Sequence, residues 1–513
     1  MYYFPTIGLE IHIELKTRSK MFCSCLNDPH LKQANVNICP VCMAHPGTLP
    51  NANKQAIEFV IMAGLALNCE IAETSKFDRK NYFYPDLPKG YQISQYDMPF
   101  CEHGFLEVKS QEPNFEFKKI RIKRIHMEED TGKLIHPKGE DYSLVDFNRA
   151  GVPLMELVSE ADIHSAKDAR KFAEELRLIF RYLNISDANM EKGQMRVEVN
   201  ISVQKVENGE EPKINLKESE LGTKVEIKNL NSFRIVEKSI EHEIKRQSQD
   251  LEKGKKIIHE TRGWNEDKNE TFSQRKKEKA NDYRYFPEPD LPIMKLGENG
   301  FMDIKEIKNK IPELPQEKRS RYKQEYNLSD NEIEIFIQNK NLAMYFENVM
   351  SELRNWVKET QIKTKIHNND FFKLSKLCCN YIITDLQGLL KNKSVKHKDF
   401  LITSENFAEF ISLIYKKEIS SKIAKIVLLE MFDKGADPSH IIEDKGLKQI
   451  TNEKEIEEII KQIISENKNI VEGYKKGKQS VLQFLIGQAM AKTKGKANPE
   501  LVVKIFKNLL NEK

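Results

Sequence analysis

The sequence contains no apolar run that approaches the ~20 residues needed for a membrane-spanning helix. Its first residues, Met1 to Pro5, lack the basic segment and apolar stretch of a secretory signal. We therefore expect a cytoplasmic protein that makes no membrane contact. The net charge is only +4, so the chain as a whole is not a polycation, and a nucleic-acid partner must be inferred from local patches.

Signatures of nucleotide binding are also scarce. The segment 473–480 has a superficial likeness to a P-loop, but its glycines are too close together and Gln479 replaces the required Ser or Thr. Neither the set of protein-kinase motifs nor a dinucleotide-binding fingerprint is present. We interpret 473–480 as a basic loop.

The length of 513 residues exceeds one ordinary domain. In the first part of the sequence, the patterns typical of strands and of helices do not alternate strictly. This favours an α+β fold with a mixed or antiparallel sheet over a doubly wound α/β fold. Helical periodicity dominates from Asp303 onward. We predict an α+β domain at 1–294, a helical domain at 295–402 and a small helical tail at 403–513. Predicted strands are 7–15, 119–125 and 195–203, and predicted helices are 168–183, 233–249, 339–358, 371–390, 404–416, 420–434 and 481–492.

Carboxylates recur at the polar positions of the early strands. In the strand at 7–15, Glu10, His12 and Glu14 share one face because successive side chains point to opposite sides. A second acidic group, 128–130, follows another strand candidate, and Glu156 lies in an apolar segment where a charge needs a partner. Carboxylates that converge with an imidazole would suit Mg²⁺. A merely solvated strand face is the alternative, and the sequence leaves both open.

Four of the eight cysteines lie within twenty residues of one another. Two close pairs separated by thirteen residues have the form of a structural zinc site. A redox pair or plain buried thiols are the alternatives, although a redox motif would leave one pair without a role. The predicted zinc ligands are Cys23, Cys25, Cys39 and Cys42.

The end of the chain is basic. From Asn467 onward there are ten Lys and three Glu, with Tyr474, Phe484 and Phe506 interleaved. Such a helical module would contact a phosphate backbone more than it would read bases. A solvated Lys-rich face is the alternative.

Several long segments carry a resemblance to a known family. In the order of the chain they are 7–12, 76–95, 126–130, 228–233 and 282–290, followed by 487–490 and 494–499 near the end. Together they resemble the B-subunit family of the heterotrimeric glutamyl/aspartyl-tRNA amidotransferases of bacteria and organelles. The resemblance implies a ligase subunit whose cradle-like catalytic domain occupies residues 1–294.

The implied reaction uses ATP to phosphorylate the side-chain carboxylate of Glu on tRNA(Gln) or of Asp on tRNA(Asn). Ammonia then converts the acyl phosphate to the amide. A Glu side chain has a pKa of about 4.3, so the attacking carboxylate is already ionised and the first step needs no base. By resemblance, the residues that bind Mg²⁺ for this step are Glu10, His12, Glu129 and Glu156.

The resemblance places three further residues, Lys80, Tyr82 and Arg196, near the phosphoryl-transfer pocket. Each has a structural alternative, which is a surface charge for Lys80, a core aromatic for Tyr82 and a strand salt bridge for Arg196. Glu198 stands where some relatives carry Asp, which leaves its role open.

The sequence contains no amidase run with a paired Ser and Lys, so glutamine hydrolysis requires a partner. The resemblance implies an amidase-type A subunit as the glutaminase and a small C subunit that bridges the two. Two other functions stay open. One is the kinase subunit of the archaeal two-subunit enzyme, which is longer and carries an inserted domain. The other is a non-catalytic tRNA-binding module.

Overall fold

The computed structural model of the chain contains two compact units, Met1–Leu314 and Pro315–Lys513. It describes residues 2–110, 117–207, 221–276, 282–298, 300–361, 368–391, 393–448, 450, 452–475, 480–493 and 495–511. Among these residues, no helix combines the length and the apolar character that crossing a membrane requires.

The first unit is built on β-strands. They are β1 Tyr2–Glu14, β2 Glu70–Ile71, β3 Thr74–Ser75, β4 Asp78–Asn81, β5 Tyr91–Ser94, β6 Cys101–Lys109, β7 Phe117–Glu129, β8 Lys133–Ile135, β9 Leu144–Asp146, β10 Pro153–Ser159, β11 Met195–Val206, β12 Val225–Leu230, β13 Glu260–Asn265, β14 Glu270–Lys276, β15 Phe286–Pro287 and β16 Met294–Lys295.

Nine of the described strands form one large sheet in the order β14-β13-β12-β11-β1-β10-β7-β6-β2. Its neighbouring strands are antiparallel, except that β12 and β13 run parallel. A small sheet, β15-β4-β5, and the strand pairs β16-β3 and β8-β9 accompany it. The long strand β1 is therefore central and hydrogen-bonds on both edges.

The alternating sequence of β1 fixes which face of the sheet is apolar. Ile7, Leu9, Ile11 and Ile13 are completely buried. Three helices cover this face and share its hydrophobic core. They begin at polar caps, since the side chains of Asn53, Ser165 and Ser232 each accept a hydrogen bond from the first helical turn. The helices of this unit are α1 Lys54–Ala66, α2 Ala166–Tyr182, α3 Phe233–Glu252 and the short α4 Ile304–Asn309.

The regular elements of the second unit are all helices within its described residues. Its helices are α5 Pro315–Tyr326, α6 Asp330–Gln338, α7 Lys340–Gln361, α8 Asn368–Asn380, α9 Gln387–Leu390, α10 Ser404–Tyr415, α11 Ser421–Lys434, α12 Pro438–Asp444, α13 Glu453–Glu466, α14 Lys468–Lys475, α15 Ser480–Lys492 and α16 Pro499–Asn511, with a π-helical segment Tyr381–Leu386 between α8 and α9.

Two packing centres are evident in the second unit. Near its start, the rings of Tyr322, Phe336 and Phe346 pack together, and Phe407 of α10 contacts Tyr345 of α7. Helices α13 to α16 share a separate hydrophobic core that includes the fully buried Phe506. Phe506 therefore stabilises the tail and is not available to RNA, unlike Phe484, which is 48% exposed.

The predicted α+β class with a helical C-terminal region is confirmed. Sequence analysis missed α1, because its residues are buried on nearly every side and form no single apolar stripe. The first unit continues to Leu314, past the predicted boundary at 294, and the division into three domains remains a prediction. The predicted basic loop begins inside α14, and its residues 476–479 lie outside the described residues.

Candidate active site

Five neighbouring strands carry ionisable side chains on the sheet face opposite the helices. Antiparallel pairing places His12 of β1 opposite both Glu156 of β10 and Arg196 of β11. Glu156 lies in turn opposite His126 of β7. Opposed residues in antiparallel strands have Cβ atoms about 4.5–5.5 Å apart, so this register unites groups that are distant in sequence. We call this surface the polar face; it consists of Glu10, His12, His126, Glu128, Glu156, Arg196, Glu198 and Glu226.

The centre of the polar face is a cluster of two imidazoles and two carboxylates. His12 Nε2 lies 3.3 Å and His126 Nε2 lies 3.4 Å from Glu156 Oε2. His126 Nε2 also lies 3.6 Å from Glu128 Oε1. One potential ligand atom each from His12, Glu128 and Glu156 lies within 4.8 Å of the others. These nitrogen and oxygen donors can hold a divalent cation.

Burial and pairing set the charges in this cluster. Burial alone would lower the pKa of His126, but Glu156 and Glu128 raise it to about 9. Burial opposes the ionisation of Glu128, yet Lys80 lowers the pKa of that carboxyl to about 2. Burial likewise opposes the ionisation of Glu156, whereas His126 and His12 hold its pKa well below the usual range. At neutral pH both carboxylates are therefore ionised, which is the state that binds a metal.

A second group of carboxylates lies farther along the polar face. Oxygen atoms of Glu10, Glu198 and Glu226 lie within 4.8 Å of one another. Asn200 Nδ2 donates a hydrogen bond of 2.7 Å to Glu10, and Lys228 Nζ lies 2.9 Å from Glu198. Burial and the neighbouring carboxylates raise the pKa of Glu10. A divalent cation would relieve the mutual repulsion of these three groups.

Lys80, in β4 of the small sheet, and Tyr82, just after that strand, approach the polar face. Lys80 Nζ lies 3.2 Å from Glu128 Oε1, and only 20% of its side chain is exposed, so it is not a surface charge. Burial opposes the charged form of Lys80, but Glu128 raises its pKa and keeps it cationic. The hydroxyl of Tyr82 donates to Gln92, which in turn donates to Glu128. Both residues are therefore linked to the same carboxylate.

Arg196 forms the salt bridge that sequence analysis considered as the structural alternative. Its Nη2 donates to Asp130 Oδ2 at 2.8 Å, and Arg149 Nε lies 3.7 Å from the same oxygen. Nearby, burial and Asp130 raise the pKa of Glu14 to about 8. The Arg196 side chain keeps an exposed fraction of 34%, so part of it faces solvent beside His12.

The structure does not bring Glu129 into the central cluster. Because β7 alternates, His126 and Glu128 point to the polar face and Glu129 points away from it. Glu129 Oε1 lies 2.6 Å from Lys89 Nζ and accepts a hydrogen bond from the backbone N–H of Ile93. It lines a cavity of about 200 Å³ whose wall includes Cys42.

The structure brings the four cysteines of the sequence motif together. The Sγ atoms of Cys23, Cys25, Cys39 and Cys42 all lie within 4.8 Å of one another. In a tetrahedral zinc site with Zn–S bonds of about 2.3 Å, the sulfurs lie about 3.8 Å apart. The distances between the Sγ atoms therefore need to shorten only slightly, if at all, to bind zinc. Hydrogen bonding with Cys23 lowers the pKa of Cys42 to about 5, and Cys42 Sγ accepts the backbone N–H of Cys39. The donor set fits structural zinc.

Comparison with known proteins places these features in a family. A family model described as the GatB/GatE catalytic domain matches residues 5–301, and one described as the GatB domain matches residues 363–510. The chain belongs to the GatB family. It is 46% identical to the B subunit of an aspartyl/glutamyl-tRNA(Asn/Gln) amidotransferase from Persephonella marina, over 99% of this chain and 100% of that relative. The protein of the same name from Thermoanaerobacter pseudethanolicus is also 46% identical, over the whole of both chains, and that from Thermotoga petrophila is 44% identical over 99% of each chain.

Sequence analysis of this GatB-family chain did not assign several residues to the site, although it placed Glu128 in the acidic group 128–130. His126 and Glu128 could have been found by applying to β7 the alternation that was applied to β1, since the two residues share a face. Glu226 and Lys228 gave no such signal, because only the sheet order places β12 beside β11. Lys89 lies between strands, where periodicity carries no information.

We predict that the purified chain carries about one zinc ion and that Cys39→Ser removes it, because a thiolate ligand is lost. Structural metal binding contributes folding free energy, so the variant should also melt at a lower temperature. Elemental analysis of freshly reduced protein, prepared without chelators, measures the first effect and thermal denaturation the second.

The matched control is Cys69→Ala, which removes a thiol that lies outside the group of four. It should retain the full zinc content. Metal-free wild-type protein of normal stability would contradict the zinc assignment.

Proposed function

We propose that this chain acts as the activating and amidating subunit of a tRNA-dependent amidotransferase. It would activate the side-chain carboxylate of Glu on tRNA(Gln), of Asp on tRNA(Asn), or of both, using ATP, and then catalyse amidation with ammonia. The observation that carries the proposal is the convergence of His12, Glu128 and Glu156 beside the buried cation Lys80. The relatives that match the chain from end to end are named as B subunits of such enzymes.

The reaction consists of two displacements. A carboxylate oxygen of the substrate attacks the γ-phosphorus of ATP, and the bond to the bridging oxygen breaks to release ADP. Ammonia then attacks the acyl carbon, inorganic phosphate leaves, and a proton is lost to give the amide. The first nucleophile is already ionised at neutral pH, so the protein must supply positioning and positive charge instead of a base.

The described residues fit these needs. Lys80 stays cationic beside Glu128 and can stabilise the charge that develops on the transferring phosphoryl group. Arg196 is held in place by Asp130 and leaves part of its guanidinium exposed on the same face. Mg²⁺ bound by His12, Glu156 and either Glu128 or Glu129 would neutralise phosphate charge.

The second carboxylate group is proposed to hold a further cation. Glu10 and Glu198 would contribute ligands, with Glu226 beside them. Asn200 and Lys228 orient two of these carboxylates, as the hydrogen-bonding partners of metal ligands commonly do. Tyr82 is proposed to position Gln92, and through it Glu128, because its hydroxyl donates to Gln92.

A matched pair of substitutions distinguishes the two candidate ligands on β7. Glu128→Gln should reduce ATP-dependent activation by roughly 100-fold or more, because one charged group at the phosphoryl-transfer centre is lost. Glu129→Gln should have a much smaller effect on the same step, since its carboxylate bonds to Lys89 and Ile93. Release of ADP that depends on charged tRNA measures activation.

Binding of charged tRNA serves as the control for both variants and should be unchanged. The reverse result, with activity lost in Glu129→Gln and retained in Glu128→Gln, would support the ligand set implied by family resemblance. Near-normal activation in both variants would rule out a metal-binding role for either residue.

Ammonia reaches the acyl phosphate in its neutral form, because ammonium has no lone pair. We propose that an amidase-type A subunit releases ammonia from glutamine and that a small C subunit completes the complex. An enclosed path through the complex would exclude water from the acyl phosphate. The names of the relatives, which designate a B subunit, support an assembly of this kind.

The isolated chain should therefore hydrolyse no glutamine. With ATP, charged tRNA and added ammonium salt it should form at most a low level of amide, because the sequence lacks an amidase motif. Glutamate release, measured with and without the co-purified partners, tests this dependence. Glutaminase activity that stays with the isolated chain through purification would disprove it.

We propose that the tail contributes affinity for tRNA and takes no part in the chemistry. Lys468 and Lys507 are exposed, and neither forms an ion pair among the described residues. Exposed cations without partners are free to contact phosphates, and each such contact releases counterions.

Deletion of residues 452–513 should raise the KM for charged tRNA about tenfold or more, equivalent to about 1.4 kcal/mol. A deletion from 403 would be a poorer test, since it also removes Phe407, whose ring packs on Tyr345. Lys468→Glu with Lys507→Glu should act in the same direction, and its defect should shrink as salt rises. Steady-state kinetics at several salt concentrations measure both effects.

Tail-truncated enzyme that amidates as well as the full-length chain at low tRNA concentration would contradict this role. Parallel assays with Glu-tRNA(Gln) and Asp-tRNA(Asn) identify the physiological substrate. A non-catalytic tRNA-binding module, the remaining alternative, predicts no loss of ADP release in Glu128→Gln.

A further inference from the structure

The side chain of Lys20 is completely buried. This lysine lies between the end of β1 and the first cysteine pair, and it forms no ion pair with a carboxylate among the described residues. Lysine is almost never fully buried unless it is paired. A buried ammonium group without an opposite charge is unfavourable, because water no longer solvates it. The groups around Lys20 must therefore supply that charge.

The ammonium group of Lys20 has an acceptor for each of its three N–H donors. Lys20 Nζ donates to the carbonyl oxygen of Asn37 at 2.8 Å, to that of Phe147 at 3.4 Å and to Cys42 Sγ at 3.9 Å. The two carbonyl groups are neutral. Of the three acceptors, only the sulfur of Cys42 can carry a negative charge.

The main chain of Lys20 also contacts the four-cysteine group. Its backbone N–H donates to the carbonyl oxygen of Cys25 at 2.9 Å. Cys42 is buried, and its Sγ also accepts the backbone N–H of Cys39 at 3.1 Å. Lys20 is thus joined to the first cysteine pair through its backbone and to the second pair through its side chain.

The charge of a metal-bound cysteine group matches what a buried lysine needs. Four thiolates bound to one Zn²⁺ leave two negative charges in excess. Groups that hydrogen-bond the ligands of a metal orient those ligands and tune the affinity of the site. One buried ammonium group offsets half of the excess charge and donates directly to one of the four sulfurs.

We infer that Lys20 is a positioning residue of the four-cysteine metal site, where its ammonium group offsets part of the thiolate charge and fixes the orientation of Cys42. The inference rests on the assignment of zinc to this group and does not depend on the proposed reaction. Through its contact with Phe147, Lys20 also ties the metal site to the turn before β10.

Zinc affinity tests the inference directly. In Lys20→Met the side chain keeps a similar length but loses its charge and its three donors. The zinc Kd of the reduced, full-length protein, measured by competition with a chromophoric chelator, should rise about 10- to 100-fold. Substitution of a residue that hydrogen-bonds a metal ligand typically has an effect of this size.

The contact with sulfur also has a spectroscopic signature. Co²⁺ bound in place of zinc gives thiolate-to-metal charge-transfer absorption, whose energy depends on the hydrogen bonds that the sulfurs accept. A thiolate that loses a donor gives up electron density more easily, so the band of Lys20→Met should move to longer wavelength. A lysine that only fills space would leave the band unchanged.

The matched control is Lys32→Met, which removes the same charge from the segment between the two cysteine pairs. Lys32 is exposed and forms no ion pair among the described residues. This variant should keep the wild-type zinc Kd and the wild-type cobalt spectrum. An equal loss of zinc affinity in both variants would overturn the inference in favour of a general effect of charge.

Thermal denaturation separates a metal-linked role from ordinary packing. Zinc should raise the melting temperature of Lys20→Met less than that of the wild-type protein, because stabilisation by a ligand depends on its affinity. Without zinc the two proteins should melt at similar temperatures, since the excess thiolate charge that Lys20 offsets is then absent.

Wild-type zinc affinity together with an unshifted cobalt band in Lys20→Met would overturn the inference. Equal destabilisation of this variant with and without zinc would overturn it in favour of a packing role. A wild-type protein that binds no zinc would remove the zinc assignment and this inference together, while ADP release that depends on charged tRNA would still decide the proposed function.

Discussion

The site depends on the repulsion between carboxylates held close together on one face of a sheet. Strands β1, β7, β10, β11 and β12 each contribute at least one carboxylate to this face, and neighbouring groups lie within a few ångströms of one another. Such a surface is stable only if cations or protons offset the charge. His126 and Lys80 do so for Glu128 and Glu156, and Lys228 does so for Glu198. Where the carboxylates outnumber these cationic partners, the polar face is suited to bind a metal ion.

The cations of the polar face also connect the sheet to elements outside it. Lys80 comes from the small sheet, so its ion pair with Glu128 ties that sheet to β7. Asp130, at the end of β7, binds Arg196 from β11 and Arg149 from the turn before β10. The same interactions that balance charge therefore fix the relative positions of elements far apart in sequence.

Much of this arrangement followed from local patterns. The alternation in β1 predicted its buried and polar faces, and the cysteine spacing predicted a four-sulfur group that the structure brings together. Family resemblance placed His12 and Glu156 among the residues that bind Mg²⁺, but their pairing across β1 and β10 was not predicted, because strand order in a sheet depends on long-range contacts. Glu226 could not be predicted, since it lies where β12 packs next to β11. Family resemblance assigned Glu129 to the metal site, and that assignment stays a prediction, because the alternation of β7 directs Glu128 and not Glu129 to the polar face.

The adjacent residues Glu128 and Glu129 point to opposite sides of β7, so the strand lies between two separate sites. Glu128 faces the cluster that contains His12 and Glu156, and Glu129 reaches the small cavity beside the cysteine group. Because the side-chain period of a strand is two residues, a slip of one position would exchange the two glutamates between compartments. Because the two glutamates are consecutive residues of one strand, any displacement of β7 moves both carboxylates together.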